Sequence, residues 1–171
     1  MEKPPCRDLR VELLDGRHDR SAFACGVESL DRYLQTQAGQ DIRRKANAVF
    51  VLTELAKPGY ILGYYTLCAM TVSHGDVPET ARRHIPRYPL VSATLIGRLA
   101  VAKEKQGQHL GAVLLADALQ RSFESAGSVG SSMVVVDALD EQTVDFYAAH
   151  GFVRLPDSLR LVLPMRLVSR L

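Results

Sequence analysis

Gly97 to Gly111 reads GRLAVAKEKQGQHLG, and the order of residue types in it decides the fold. Thr94 to Val101 has strand character, a polar turn containing Gly107 follows, and Leu110 opens a helix whose apolar positions 110, 114 and 118 lie beside 115, 119 and 123. A strand that turns through glycine straight into a helix presents unpaired backbone N–H groups at the positive end of the helix macrodipole. Glycine there also lets the main chain approach an anion closely. Such a turn can hold a pyrophosphate without a lysine. Two glycines ahead of a helix also serve as ordinary turn residues, so this stretch alone leaves both readings open.

Working outward, Met133 to Val136 is a continuous apolar run of strand length, as expected of a central strand covered on both faces. It leads into a helix over Glu141 to Ala149, which Gly151 ends. Phe152 to Arg154 and Leu159 to Met165 read as paired strands around the turn at Pro156-Asp157. On the N-terminal side, Leu30, Tyr33, Leu34 and Ala38 share a helical face, which predicts a helix over about residues 27 to 45. Val49 to Leu52 and Tyr60 to Leu67 then read as strands of a hairpin turning at Pro58-Gly59. The segment from Ser73 through Pro78, Pro86 and Pro89 carries too many breakers to be regular throughout. The sum is an α/β protein with a mixed sheet and helices on its faces. No repeat, low-complexity segment or linker interrupts it.

A chain of 171 residues, 47% of them hydrophobic, is long enough for one buried core, so a single domain over residues 1–171 is the expectation. No apolar run approaches the roughly 20 residues of a membrane span, and the start has no apolar targeting core, so a cytoplasmic location away from membranes is expected. Cys6, Cys25 and Cys68 are odd in number and widely spaced, which suits reduced structural thiols and no metal site. The net charge is only +2, but Arg43, Arg44 and Lys45 adjoin one another and Arg82, Arg83 and Arg87 form a second cluster. Such clusters serve either as a solvated face or as a site for polyanions, so nucleic acid stays open as a partner.

Gln106, two residues, His109, one residue and Gly111 resemble the phosphate-binding motif of the GNAT acetyltransferases, with His109 where that family usually has glycine. Asp137 to Phe152, with Phe146-Tyr147 and then Gly151-Phe152, resembles the family's closing strand, helix and Gly-Phe. The resemblance implies a largely antiparallel central sheet flanked by helices, and acetyl-CoA as acetyl donor with no metal. It implies that Gln106, Gly107, Gln108, His109 and Gly111 cradle the pyrophosphate. The backbone N–H groups of Leu99 and Val101 would then hold the pantetheine arm and the thioester oxygen. Tyr147 is implied as the general acid, since a phenol of ordinary pKa about 10 is protonated and can donate to a departing thiolate. Val144, Tyr147 and Ala148 share a helix face, so a core aromatic is the competing role for Tyr147. No base is nominated: an α-amine titrates near about 7.7 to 8.0, which leaves a useful fraction neutral. Asp137, at the end of a strand, suits a structural carboxylate better.

Further stretches resemble one branch of that family, the bacterial acetyltransferase toxins of toxin-antitoxin modules that acetylate the amino acid carried by a tRNA. They are Phe23-Ala-Cys-Gly26, Leu30-Asp31-x-Tyr33-Leu34, Gly63 to Leu67, Pro86-Arg87-Tyr88-Pro89, Gly97 to Val101 and Leu163-Pro164-Met165. The resemblance implies that Arg98, Arg87, Arg43, Arg44 and Lys45 bind aminoacyl-tRNA through its phosphates. It also implies a ribbon-helix-helix antitoxin as partner, and it is compatible with a homodimer. Two other readings stand beside it. One is an acetyltransferase of a small amine or a protein N-terminus, and the other is a regulator that binds acyl-CoA or RNA without turnover.

Overall fold

A computed structural model describes residues 8–168 of the chain; Cys6 lies outside them. The strands are β1 (Leu9–Leu13), β2 (Ala48–Glu54), β3 (Gly63–Ser73), β4 (Leu90–Val101), β5 (Met133–Asp137), β6 (Val153–Arg154) and β7 (Arg160–Pro164). The helices are α1 (Glu28–Arg32), α2 (Ala38–Arg43), α3 (Glu79–Arg82), α4 (Leu110–Ala126), α5 (Glu141–Ala149) and α6 (Met165–Val168). The strands form one sheet of seven in the order β1-β2-β3-β4-β5-β7-β6. Pairs β1–β2, β5–β7 and β6–β7 are antiparallel and β4–β5 is parallel, with α4 as the crossover the parallel pair needs. This is the mixed, largely antiparallel α/β sheet with flanking helices that the sequence predicts.

Two compact units divide the chain: Met1–Thr66 with Arg98–Leu115, and Leu67–Gly97 with Ala116–Leu171. The first packs Leu34, Val49, Val51, Ile61 and Tyr64, all nearly or fully buried, against Phe23, Ala100 and Ala102. Gly63 sits where β-carbon atoms do not fit. A Cβ there would lie 2.7 Å from the Ala100 carbonyl oxygen and 2.8 Å from Leu114 Cδ1. The second unit packs Val72, Val91, Met133, Val135, Leu155 and Val162. Met133, Val134, Val135 and Val136 are all fully buried, as their uninterrupted apolar run requires.

The differences from the sequence reading have local causes. The helix expected over residues 27 to 45 is two helices joined by a π turn over Tyr33–Gln37, closed by a hydrogen bond from the Ala38 N–H to the Tyr33 carbonyl. The wider turn still leaves Tyr33, Leu34 and Ala38 buried together. β3 begins at Gly63 rather than Tyr60 and runs on to Ser73, since Tyr60 is still part of the turn that bonds back to Lys57. β4 begins at Leu90, with Val91 and Ala93 buried alternately. The breaker-rich segment between them holds a short 3-10 turn (His74–Asp76) and α3. The last strand stops at Pro164 and Met165 turns into α6. β1 carries too short and too polar a pattern, LRVEL, to be read in advance, and it is pinned by its register on β2, Leu9 opposite Glu54 to Leu13 opposite Phe50.

Candidate active site

The first unit contains the end of the strand from Arg98, the turn, and the start of the helix as far as Leu115. The β5 ladder pairs β4 from Ala93 to Ile96, opposite Met133 to Val136, and β4 continues past the last paired position through Gly97 to Val101. Leu99 and Val101 therefore lie on extended strand beyond that ladder. A single 3-10 turn (Lys103–Lys105) follows, held by hydrogen bonds from the Ala102 N–H to the Leu62 carbonyl and from the Lys103 N–H to the Ala24 carbonyl, each 2.8 Å. Gly107 and His109 both take left-handed conformations, φ +81° and +62°. Alternation of this kind turns successive N–H groups toward one side, which makes an anion-binding concavity.

Helix α4 starts at Leu110, which is buried together with Leu114 and Leu115. Val113 donates to the His109 carbonyl, so the N–H groups of Leu110, Gly111 and Ala112 precede the helical ladder. Nothing lies within 4 Å of the Cβ position of Gly107, and Gln106, Gly107, Gln108 and His109 are all exposed. An open turn of main-chain donors at the head of a 17-residue helix has the shape and polarity that a pyrophosphate needs. The residues present fit the phosphates of a coenzyme A.

Two residues, Gln106 and His109, set the shape of this turn. The Gln106 side-chain amide donates to the Cys25 carbonyl at 2.8 Å and to the Val101 carbonyl at 3.1 Å. It clamps the turn to the Ala24-Cys25 segment, whose own Cys25 N–H is held by the Asp31 carboxylate at 2.8 Å. His109 adopts a conformation in which glycine is relaxed and a β-carbon is strained. The loop keeps the glycine-like shape without the glycine.

Arg98 stacks on Tyr33, its guanidinium carbon 3.6 Å from the ring centroid. The Tyr33 hydroxyl donates to Asp41 at 2.8 Å, and Asn47 and Gln37 donate to the same carboxylate. Those three donors, from Gln37 first, hold the Asp41 carboxyl below its ordinary range, while burial pushes the Tyr33 phenol up. Arg98 is thus a packed cation on the aromatic face of Tyr33, a residue of the motif Leu30-Asp31-x-Tyr33-Leu34. Arg43, Arg44 and Lys45 are exposed at the end of α2, where Lys45 takes φ +60° and stops the helix.

The second unit holds Tyr147 and Arg87. Asp140 caps α5 by accepting from the Thr143 N–H and hydroxyl, both at 2.8 Å. At the other end, Gly151 at φ +94° closes a Schellman motif: Phe152 N–H donates to the Tyr147 carbonyl and Gly151 N–H to that of Ala148. Tyr147 is 5% exposed and packs edge-on to Phe152, centroids 5.6 Å apart. Burial pushes its phenol well above the usual range, so it is protonated at any working pH. Asp137 forms a two-pronged ion pair with Arg160, at 2.7 and 3.0 Å, which makes it a structural carboxylate. Arg87 is exposed on the segment before β4.

Cys25 and Cys68 form no disulfide among the described residues, and burial pushes Cys25 up to about 11. Among the described residues no group of side chains is arranged to hold a metal, and no helix is long and apolar enough to cross a membrane. The clamp of Gln106 on Cys25 had no signal in the sequence, since the partners stand 81 positions apart. The Arg98 stack was visible only as two separate matching motifs.

Residues 89–162 match the acetyltransferase (GNAT) domain family. The chain is 35% identical, over 86% of its own length and 87% of the other, to the tRNA-acetylating toxin of Mycobacterium tuberculosis (strain ATCC 25618 / H37Rv). Among solved structures, AtaT complexed with acetyl-methionyl-tRNAfMet superposes with a TM-score of 0.86 at 30% identity, covering 95% of this chain and 98% of that one. A tyrosine-to-phenylalanine mutant of AtaT, bound to the C-terminus of the antitoxin AtaR and acetyl-CoA, gives a TM-score of 0.81 at 28% identity, covering 95% and 97%. With the cradle, the capped α5 and the sheet in place, the chain belongs to the GNAT acetyltransferases and is similar along most of its length to the tRNA-acetylating toxins among them.

Proposed function

We propose that the protein is a bacterial toxin that transfers the acetyl group of acetyl-CoA to the α-amino group of an aminoacyl-tRNA, which blocks that tRNA from accepting a growing peptide. The observation that carries this reading is the 35% identity to a tRNA-acetylating toxin over 86% of the chain, a span that includes more than the cofactor motif. The exposed Arg43, Arg44, Lys45 and Arg87 supply the charge that binding to RNA phosphates requires. The complex of AtaT with acetyl-methionyl-tRNAfMet supports the same substrate class.

Acetyl-CoA, when bound, supplies an acetyl group activated as a thioester. The main-chain donors of Gly107 to Gly111 hold its phosphates, and Leu99 and Val101 offer strand N–H groups to its arm and to the thioester oxygen. Fixed donors of this kind need no reorganisation as charge develops, which is where most of the protein's contribution lies. Acetyl transfer replaces the thioester C–S bond with an amide C–N bond; the amine's surplus proton would leave to water, the Tyr147 hydroxyl would protonate the departing sulfur, and the phenolate would regain its proton from water. Burial penalises the phenolate of Tyr147, so the hydroxyl keeps its proton until negative charge develops on the departing sulfur. No strong base is required by an amine that is already partly neutral at cellular pH.

The whole chain acts as one acetyltransferase domain, in the cytoplasm where its substrate is found. No metal takes part. Its toxicity calls for an antitoxin, of ribbon-helix-helix type, as the complex of AtaT with AtaR supports for the general partner class. A homodimer is compatible with this reading. The test is incubation with labelled acetyl-CoA and a pool of charged tRNA, with deacylated tRNA as control. Label confined to charged tRNA is expected. Label on neither, with acetyl-CoA binding intact, contradicts the reading.

A further inference from the structure

The second unit carries a surface pocket of about 410 Å³ that no part of the mechanism uses. Arg83, His84 and Arg166 line it together with Ser131, Ser132 and Pro86, and among the described residues no carboxylate does. Arg83 and Arg166 are exposed, and among the described residues Arg83 pairs with no carboxylate, unlike Arg154 and Arg160 of the same unit.

The walls are fixed before anything binds. Arg82, next to Arg83, donates its Nε and a terminal nitrogen to the Val77 carbonyl at 3.1 and 2.9 Å. Ser132 donates its N–H to the Ser92 carbonyl and Met165 donates its N–H to that of Ser132, while Ile85 and Met165 are buried beneath. The Ser131 hydroxyl lies 2.8 Å from that of Thr94. Two guanidinium groups, an imidazole and serine hydroxyls on a rigid frame make a site for a phosphate, and preorganisation lowers the cost of binding it. Two residues along the chain from Pro86, Tyr88 is 67% exposed, between exposed Arg87 and Pro89. A large aromatic surface beside cations is the pattern of single-stranded nucleic acid binding, where bases stack and phosphates pair.

We infer that this pocket takes a backbone phosphate of the tRNA substrate and that Tyr88 stacks on an unpaired base of the same strand. The inference rests on the substrate class proposed above and adds a binding site to it.

The experiment measures binding of charged tRNA across a salt series for the wild type, for Arg83→Gln combined with Arg166→Gln, for the corresponding double lysine variant, and for Tyr88→Ala. Thermal unfolding and acetyl-CoA affinity are followed as controls. The double glutamine variant is expected to bind about tenfold more weakly at low salt, with the slope of log K against log salt reduced by about one to two contacts. The double lysine variant keeps the slope. Tyr88→Ala weakens binding several-fold with the slope unchanged, because stacking releases no counterions. A folded double glutamine variant with wild-type affinity and slope, in a protein that does acetylate charged tRNA, overturns the pocket alone. A wild-type protein that leaves charged tRNA unlabelled overturns the substrate class and this site with it.

Discussion

The turn from Ala102 to Gly111 and the helix from Asp140 to Phe152 are both short, both shaped by glycine, and built on opposite plans. In the turn the proposed chemistry belongs to the backbone: the side chains from Gln106 to His109 are exposed, two residues take positive φ, and the donors are N–H groups at a helix start. In the helix the proposed chemistry belongs to one buried side chain, Tyr147, with caps at both ends fixing where the helix sits. A backbone site tolerates side-chain exchange and fails when conformation changes. A side-chain site fails when one atom is removed, even if conformation is kept.

The comparison is broken most severely by Tyr147→Phe, which deletes one oxygen. We expect acetyl transfer to fall by about 10²- to 10⁴-fold, the usual worth of a general acid, with unfolding temperature and acetyl-CoA affinity near those of the wild type. Retained activity in a folded protein would return Tyr147 to the role of a core aromatic. Next comes Gly107→Val, which forces a β-branched residue to φ +81°. Strain of about 1–3 kcal/mol is expected in the turn. The prediction is a rise in KM for acetyl-CoA of about tenfold or more, and a neighbouring Gln108→Ala change serves as the tolerant control.

Gln106→Ala removes both bonds to the Cys25 and Val101 carbonyls. We expect about 1–2 kcal/mol of lost stability by denaturant titration, together with weaker acetyl-CoA binding. Loss of binding without loss of stability would show that the amide serves the cofactor directly. Gly151→Ala puts a β-carbon at φ +94° and should cost about 1–2 kcal/mol in stability.

The smallest effect concerns pH. The Cys25 thiol, pushed up to about 11 mainly by burial, stays protonated in the folded state where an unfolded cysteine of pKa about 8.5 ionises. The folded form therefore binds more protons between those values, so its stabilising contribution is complete below the lower value and is lost as pH rises toward the upper. Alkylation of Cys25 at neutral pH should be slow beside that of the more exposed Cys68, and equal rates would contradict its burial.

The parts of the fold legible in the sequence were those where local pattern and tertiary demand agree. The continuous apolar run at β5, the periodic face of α4 and the Gly-closed α5 each announce both their type and their limits. The strand-turn-helix proposed as the cradle was legible for the same reason, since it is made of consecutive residues. Other features depend on partners far along the chain. β1 is a strand only because β2 accepts it, and the π turn at Tyr33–Gln37 follows from the packing of Tyr33, Leu34 and Ala38. In sequence Arg98 is known only as a tRNA-binding cation implied by resemblance, whereas the stack on Tyr33 needs two segments 65 positions apart. The pocket of Arg83 and Arg166 joins residues that no local pattern relates.

The central claim is the identity of the acetylated atom. Charged tRNA treated with the protein and labelled acetyl-CoA should be recovered and its ester bond cleaved in mild base, followed by mass analysis of what is released. The account predicts that the label leaves the RNA as an N-acetyl amino acid. Label that stays on the RNA after cleavage, or none at all from a protein that binds acetyl-CoA, would contradict it.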